Sequence, residues 1–358
     1  MRVALDSTYS VDLRPSGIGV YCSNLISALV KVAPTYYFEL AYRGNRFARS
    51  FRFPMPGANC KRRLLEEFNC YLFRNRVDLF HGLNQRLPRC SFASTVSTFH
   101  DLFVLNGDYS TPEFRARFAA FARDAANRSD HIIAVSQYTA DRVEEFLEFE
   151  MPRIHVVHHG VTPVPHRTPE ELEYFRKKNE LQAPFLLNVG AIQKRKNIVR
   201  IIELLERLPA YYRLVLAGSA GYGIDKIMER IEASPARDRI RLFGYINDDL
   251  LAKLYRTAEL LIFPSLEEGF GFPVLEAMSA GLPVVTSNCS AMPEIAGGAA
   301  RLVDPKDTDS IEAGTVEILG NSKARGVLIG KGFKRAAEFH WVKAAHETLQ
   351  VYETAIKS

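Results

Sequence analysis

Two carboxylates, Glu268 and Glu276, flank a Gly-Phe-Gly-Phe-Pro turn with seven residues between them. The apolar run Leu260 to Pro264 leads in. A short helical pattern, Val274 to Ala280, leads out and stops at Gly281. Such a turn lies at the carboxyl end of a buried strand and faces a helix N-terminus, where backbone N–H groups attract anions. A carboxylate accepts two or more hydrogen bonds, so it suits the vicinal hydroxyls of a sugar or ribose. Blander roles exist for each acid. Glu276, in the first turn of its helix, would also complement the helix dipole, and Glu268 would also serve as a solvated loop acid. The whole string favours a site, because Gly269 and Gly271 permit close backbone approach. Phosphate beside polyol is what a nucleotide sugar presents.

Other constellations sit at the ends of apolar runs. Val189-Gly-Ala-Ile-Gln-Lys-Arg-Lys-Asn197 joins a strand to a helix. Arg195 and Lys196 there suit a diphosphate, or are simply a basic turn. Pro15-Ser-Gly-Ile-Gly-Val-Tyr21 opens a helix after the first strand, and Gly17 and Gly19 would let the backbone reach a phosphate. A plain strand–helix turn explains the same pattern. His100 and Asp101 close the run Val96–His100, and Ser136 follows the next strand, where it would also serve as an N-cap. Gly218-Ser-Ala-Gly-Tyr-Gly223 and Gly244-Tyr-Ile246 end two further runs.

These positions need elements to hold them. Continuous apolar runs recur at Val3–Asp6, Phe38–Tyr42, Asp78–His81, Val96–His100, His131–Val135 and Ile154–His158. They continue at Phe185–Val189, Arg213–Ala217, Arg239–Phe243, Leu260–Phe263, Pro283–Thr286 and Arg301–Val303. Helical patterns such as Gly19–Val30, Asn197–Arg207 and Asp249–Ala258 alternate with them. The alternation predicts an α/β protein with doubly wound parallel sheets covered on both faces. Three prolines in Val161–Pro169 mark a connector. The expected domains are 1–165, 166–338, and a closing amphipathic helix over 339–358 that packs back toward the first.

The 358 residues exceed one ordinary core and suit two domains. No apolar run reaches the length of a membrane span, and no signal peptide is legible, so the expected location is cytoplasmic. The five cysteines show no Cys-x-x-Cys pair and read as reduced packing residues; no metal cluster is visible. Net charge is +5, concentrated between Arg43 and Arg76, where nine cations face Glu66 and Glu67 and are interleaved with aromatics including Phe68. A second such stretch begins at Phe114. This mixture suits an anionic membrane surface or an anionic acceptor, and equally a solvated face. A nucleic-acid partner is not expected.

The string Pro-Ser-x-x-Glu-Gly-Phe-Gly-x-Pro-x-x-Glu-Ala-Met-x-x-Gly-x-Pro-Val-Val resembles the signature of retaining glycosyltransferases of family 4, with Glu268 and Glu276 matching the Glu-x7-Glu motif. The resemblance covers nearly the whole chain and is most specific from Gly244 to Pro305. It implies the GT-B fold: two Rossmann-like domains across a cleft, with donor bound mainly to the second and acceptor mainly to the first. It assigns Glu268 to the donor sugar, Glu276 to the ribose, and Lys196 with Arg195 to the diphosphate. Ala191 stands where many members carry arginine. Backbone amides of Phe270, Gly271 and Phe272 would meet the sugar, and those near Val274 and Leu275 the diphosphate. Gly17, Gly19 and Gly218 would approach phosphate, Tyr245 and Ile246 the base, and His100 the reaction centre. The acceptor would attack from the leaving-group face, without a nucleophilic glutamate, a cofactor or a metal.

Ser287–Glu294 resembles bacterial mannosyltransferases of surface polysaccharide assembly, which makes a GDP-linked mannose donor the favourite over a UDP-linked sugar. A saccharide or lipid-linked acceptor goes with it. A sugar phosphorylase, a nucleotide-sugar epimerase and a non-catalytic nucleotide-sugar-binding subunit stay open as alternatives.

Overall fold

The computed structural model describes the chain other than residues 67–69 and 72; Glu67 and Phe68 of the basic stretch therefore lie outside the described residues. The chain forms two units, Met1–Gly160 with Phe339–Ser358, and Val161–Glu338.

The first unit holds seven strands: β1 (Arg2–Asp6), β2 (Tyr37–Tyr42), β3 (Cys60–Leu64), β4 (Leu79–Gly82), β5 (Thr95–Phe99), β6 (His131–Ala134) and β7 (Ile154–Val156). They form one parallel sheet in the order β3-β2-β1-β4-β5-β6-β7. Both faces are covered, which is why these runs are apolar without alternation. The order reverses between β1 and β4. The helix Gly17–Val32 leaves the end of β1, capped by the Ser16 hydroxyl accepting from the Gly19 amide at 3.4 Å. The C-terminal helix Trp341–Lys357 packs on this unit, and its buried Tyr352 hydroxyl meets His81 Nδ1 at 2.6 Å.

Strand β3 is absent from the sequence expectation, which treated its residues as part of a basic surface stretch. Cys60-Lys-Arg-Arg-Leu has no apolar run because β3 is an edge strand. Its Lys61 and Arg63 reach the buried Glu39 of β2, which makes the pairing partly electrostatic. Much of the remaining basic stretch is paired too. Arg43 grips Asp6 at 2.9 Å, Arg46 and Arg49 meet Asp12, and Arg62 donates to the Ser50 and Phe53 carbonyls. The reduced state expected of all five cysteines is also corrected. Cys70 and Cys90, with Cα atoms 6.3 Å apart in one core cluster, are joined by a disulfide. Their separation of 20 residues carried no motif; only the fold brings them together.

The second unit holds β8 (Phe185–Val189), β9 (Arg213–Ala217), β10 (Ile240–Gly244), β11 (Leu260–Phe263), β12 (Val284–Ser287) and β13 (Arg301–Val303). Its parallel sheet runs β10-β9-β8-β11-β12-β13, reversing between β8 and β11. The connector packs on this unit. Arg256 Nη2 donates to the Val164 carbonyl at 2.7 Å, and the Val164 amide donates to the Ser279 hydroxyl at 3.1 Å.

Candidate active site

In a doubly wound sheet, ligands bind beyond the carboxyl ends of the strands where their order reverses. In the second unit those ends belong to β8 and β11. The loop after β8 carries Arg195 and Lys196, and the loop after β11 carries Glu268. The chain closes them on one another: the Leu266 amide donates to the Arg195 carbonyl at 2.8 Å. Asn197, at φ 61°, donates its side-chain amide to the carbonyls of Pro264 (3.0 Å) and Pro305 (2.6 Å). Gly218, after β9, touches the same loop so closely that a Cβ there would lie 1.9 Å from the Gly190 carbonyl oxygen. Its immediate requirement is thus close backbone approach.

Lys196 Nζ donates to Glu268 Oε1, and Arg195 Nη1 lies 2.9 Å from Glu268 Oε2. Arg195 also donates to the Glu267 carbonyl at 2.8 Å. Lys196 and Glu268 are each only 6% exposed, and Nζ lies 4.5 Å from the centroid of the Phe263 ring. Burial alone would push the Glu268 carboxyl up, but the charges and hydrogen bonds of Arg195 and Lys196 more than offset it and hold it at about 2. A buried site that retains two cations and one carboxylate can receive an anion and a polyol together.

The outgoing helix spans Phe272–Ser279. It starts two residues before the sequence expectation, so Glu276 falls in the second turn and is no first-turn cap. Gly271 caps the helix at φ 99°, a conformation that favours glycine, and a Cβ there would lie 2.4 Å from Met292 Cε. The Val274 amide donates to the Gly271 carbonyl at 3.1 Å. Val274, Leu275 and Phe270 are buried, Phe272 is partly exposed, and the Phe270 and Phe272 rings meet edge to face at 5.3 Å. Glu276 is partly exposed and accepts a 2.8 Å hydrogen bond from the Tyr255 hydroxyl. Burial raises its carboxyl; the Tyr255 bond works against that, and Asp248 adds to it. Tyr245 and Ile246 follow β10, and Tyr245 is exposed.

Tyr255 was missed in the sequence. Its signal was periodicity: Leu251, Leu254 and Tyr255 recur at helical spacing on one face of the helix Asp248–Thr257. A tyrosine on a buried face needs a partner for its hydroxyl.

The first unit holds Gly17, Gly19 and His100, apart in the chain from the residues above. A Cβ on Gly19 would lie 3.1 Å from both the Tyr9 carbonyl oxygen and Pro15 Cβ. His100 follows β5 and is buried; Nε2 donates to the Leu83 carbonyl at 2.9 Å, which fixes the neutral tautomer. Burial lowers it to about 4. Tyr21, Thr98, His81 and Tyr352 form a buried hydrogen-bonded chain with links of 2.9, 2.8 and 2.6 Å, and burial lowers His81 to about 3. Ser136 caps the helix Gln137–Leu147, accepting from the Thr139 amide at 3.1 Å.

Two all-parallel, doubly wound units, with cations and carboxylates at the switch point of the second, define a GT-B glycosyltransferase. The glycosyl transferases group 1 model matches residues 170–335 and the Glycosyltransferase Family 4 model residues 15–164. The chain belongs to glycosyltransferase family 4. It is 29% identical over 282 residues to the O-antigen chain mannosyltransferase B of Escherichia coli, covering 77% of this chain and 74% of that one. It is 30% identical over 276 residues to the serotype-specific mannosyltransferase WbdA of Escherichia coli, where 74% of this chain spans only 34% of the relative. Among solved structures, Anabaena HepE in complex with UDP and glucose superposes with a TM-score of 0.78 at 16% identity, covering 99% of this chain and all of that one. Among the described residues no helix is long and apolar enough to cross a membrane.

Proposed function

We propose that this glycosyltransferase moves mannose from GDP-mannose to a hydroxyl of a saccharide or lipid-linked acceptor, with retention of anomeric configuration. The observation that carries the reading is Glu268 held ionised between Arg195 and Lys196 at the switch point of the second sheet. In this reading Glu268 binds the donor sugar's hydroxyls. Lys196 and Arg195 stabilise the departing diphosphate, where charge grows in the transition state. Glu276 holds the ribose. Tyr245 and Ile246 meet the base, and amides at the start of the helix Phe272–Ser279 meet sugar and phosphate. Gly17 and Gly19 open a second phosphate-binding turn, and neutral His100 serves sugar hydroxyls. Protein cations and helix dipoles supply the charge, so no metal is required. The mannosyltransferase relatives support the donor sugar; the UDP complex of a fold neighbour supports a nucleotide donor in general.

The acceptor reading extends to a membrane surface in the cytoplasm, approached by the first unit. Phe51, Phe114 and Phe121 are exposed there, with the Arg62, Arg117 and Arg86 guanidinium groups over their rings.

A thermal-shift screen of GDP-, UDP-, ADP- and TDP-sugars tests the donor. A ligand at 100 times its Kd stabilises by about 2.7 kcal/mol. GDP-mannose should give the largest shift, and no shift with any of them would refute the reading. The anomeric proton of the product, with and without EDTA, tests retention and metal independence.

A further inference from the structure

Tyr255, in the helix Asp248–Thr257, is 1% exposed, and its hydroxyl reaches Glu276 Oε2 at 2.8 Å. Burial keeps the phenol well above its ordinary range, so it stays protonated and acts toward a carboxylate as a donor. That has two consequences. It occupies one carboxylate oxygen and so fixes the rotation of the group, leaving Oε1 to accept from a diol. It also favours the ionised form of a carboxyl that burial would otherwise push up.

The backbone of Glu276 is fixed independently. Its carbonyl accepts from the Ser279 hydroxyl at 2.8 Å, and that hydroxyl accepts from the Val164 amide of the connector. With backbone and one carboxylate oxygen both held, the remaining oxygen is set before any ligand arrives, and preorganisation of this kind lowers the ordering cost of binding.

We infer that Tyr255 is a positioning residue for the nucleotide: through its hydrogen bond to Glu276 it determines how strongly the ribose hydroxyls are recognised. This rests on the reading of Glu276 as the ribose acceptor, and the test separates the two. The Tyr255→Phe variant keeps the ring that fills the core and deletes only the donor. Wild type, Tyr255→Phe and Glu276→Ala are titrated calorimetrically with GDP, UDP and the 2′,3′-dideoxy forms of both.

Wild type should prefer the ribose form of the nucleotide it binds at least tenfold. Tyr255→Phe should bind that form about tenfold more weakly while its affinity for the dideoxy form stays the same, so the preference collapses. A purely structural tyrosine would instead weaken both forms alike, and that result, or an unchanged preference, overturns the inference. If Glu276→Ala retains the full preference, the ribose reading of Glu276 itself is wrong, and the inference falls with it. If Glu276→Ala loses the preference and Tyr255→Phe keeps it, only the role of Tyr255 is refuted.

Discussion

At β4–β5 and at β8–β11 the two units solve the same problem in opposite ways. Each buries ionisable side chains near the carboxyl ends of a parallel sheet. In the first unit, His81 and His100 are buried with neutral partners: a tyrosine and a threonine hydroxyl for one, a backbone carbonyl for the other. Burial pushes both well down, so they are uncharged at neutral pH. In the second unit, Glu268 is buried as an anion because two cations surround it. Burying an unpaired charge costs several kcal/mol, so a side chain must either neutralise or pair. The difference follows the ligand chemistry proposed for each group: neutral sugar hydroxyls for His100, diphosphate and sugar for the cluster around Glu268.

The contrast breaks most severely at Lys196. Lys196→Ala leaves Glu268 with one cation and removes a donor aimed at growing charge, so turnover should fall by roughly 10²–10³. Steady-state kinetics with the donor checks this. A rise in KM with kcat intact would make Lys196 a ground-state anchor instead.

Acid should sharpen the contrast. A histidine lowered on folding contributes stability that is full above its unfolded value, about 6.5, and that is lost as pH falls toward its folded value. For His81 and His100 that window runs from about 6.5 down to about 3 and 4, at roughly 1.4 kcal/mol per pH unit for each. Glu268 is also lowered, from 4.5 to about 2, so its contribution persists until pH falls below about 4.5. Peptide-level hydrogen exchange at pH 7.0, 5.5 and 4.5 should show β4 and β5 losing protection before β8 and β11. Simultaneous loss would mean that the histidines do not govern the first unit's acid response.

Glu276→Ala should weaken nucleoside diphosphate binding by roughly 1.5–3 kcal/mol, the value of a charged hydrogen-bond acceptor. Calorimetry with bare GDP tests it, and unchanged affinity would remove Glu276 from the ribose role. The smallest effect is expected at the membrane. Each free cation near an anionic surface adds about 1 kcal/mol, but Arg43, Arg46, Arg49, Lys61 and Arg63 are already paired with Asp6, Asp12 and Glu39. Vesicle sedimentation should show weak, salt-sensitive binding that rises with anionic lipid and drops in Phe114→Ser/Phe121→Ser. Wild type remaining in the supernatant at low salt would end that reading.

The same contrast explains what the sequence displayed. The parallel strands were legible because burial on both faces leaves uninterrupted apolar runs, as in Leu260–Phe263. The glutamates were legible because glycine and proline punctuate the turn around them. Strand β3 was hidden because its stabilising contact is charge against Glu39, which periodicity does not register. The Cys70–Cys90 bond and the Tyr255–Glu276 hydrogen bond are long-range, and spacing alone encodes neither. The first turn of the helix after Gly271 was misplaced because Phe-Pro reads as loop, although proline is well suited to the first helical positions.

The central claim is that the cations after β8, set against Glu268, bind a nucleoside diphosphate sugar. Calorimetric titration of GDP-mannose and GDP into wild type and Arg195→Ala/Lys196→Ala tests it most directly, with a thermal melt to establish that the variant is folded. The account predicts saturable binding of both ligands to wild type and at least tenfold weaker binding of both to the folded variant. Equal affinities, or no binding to wild type, would contradict it.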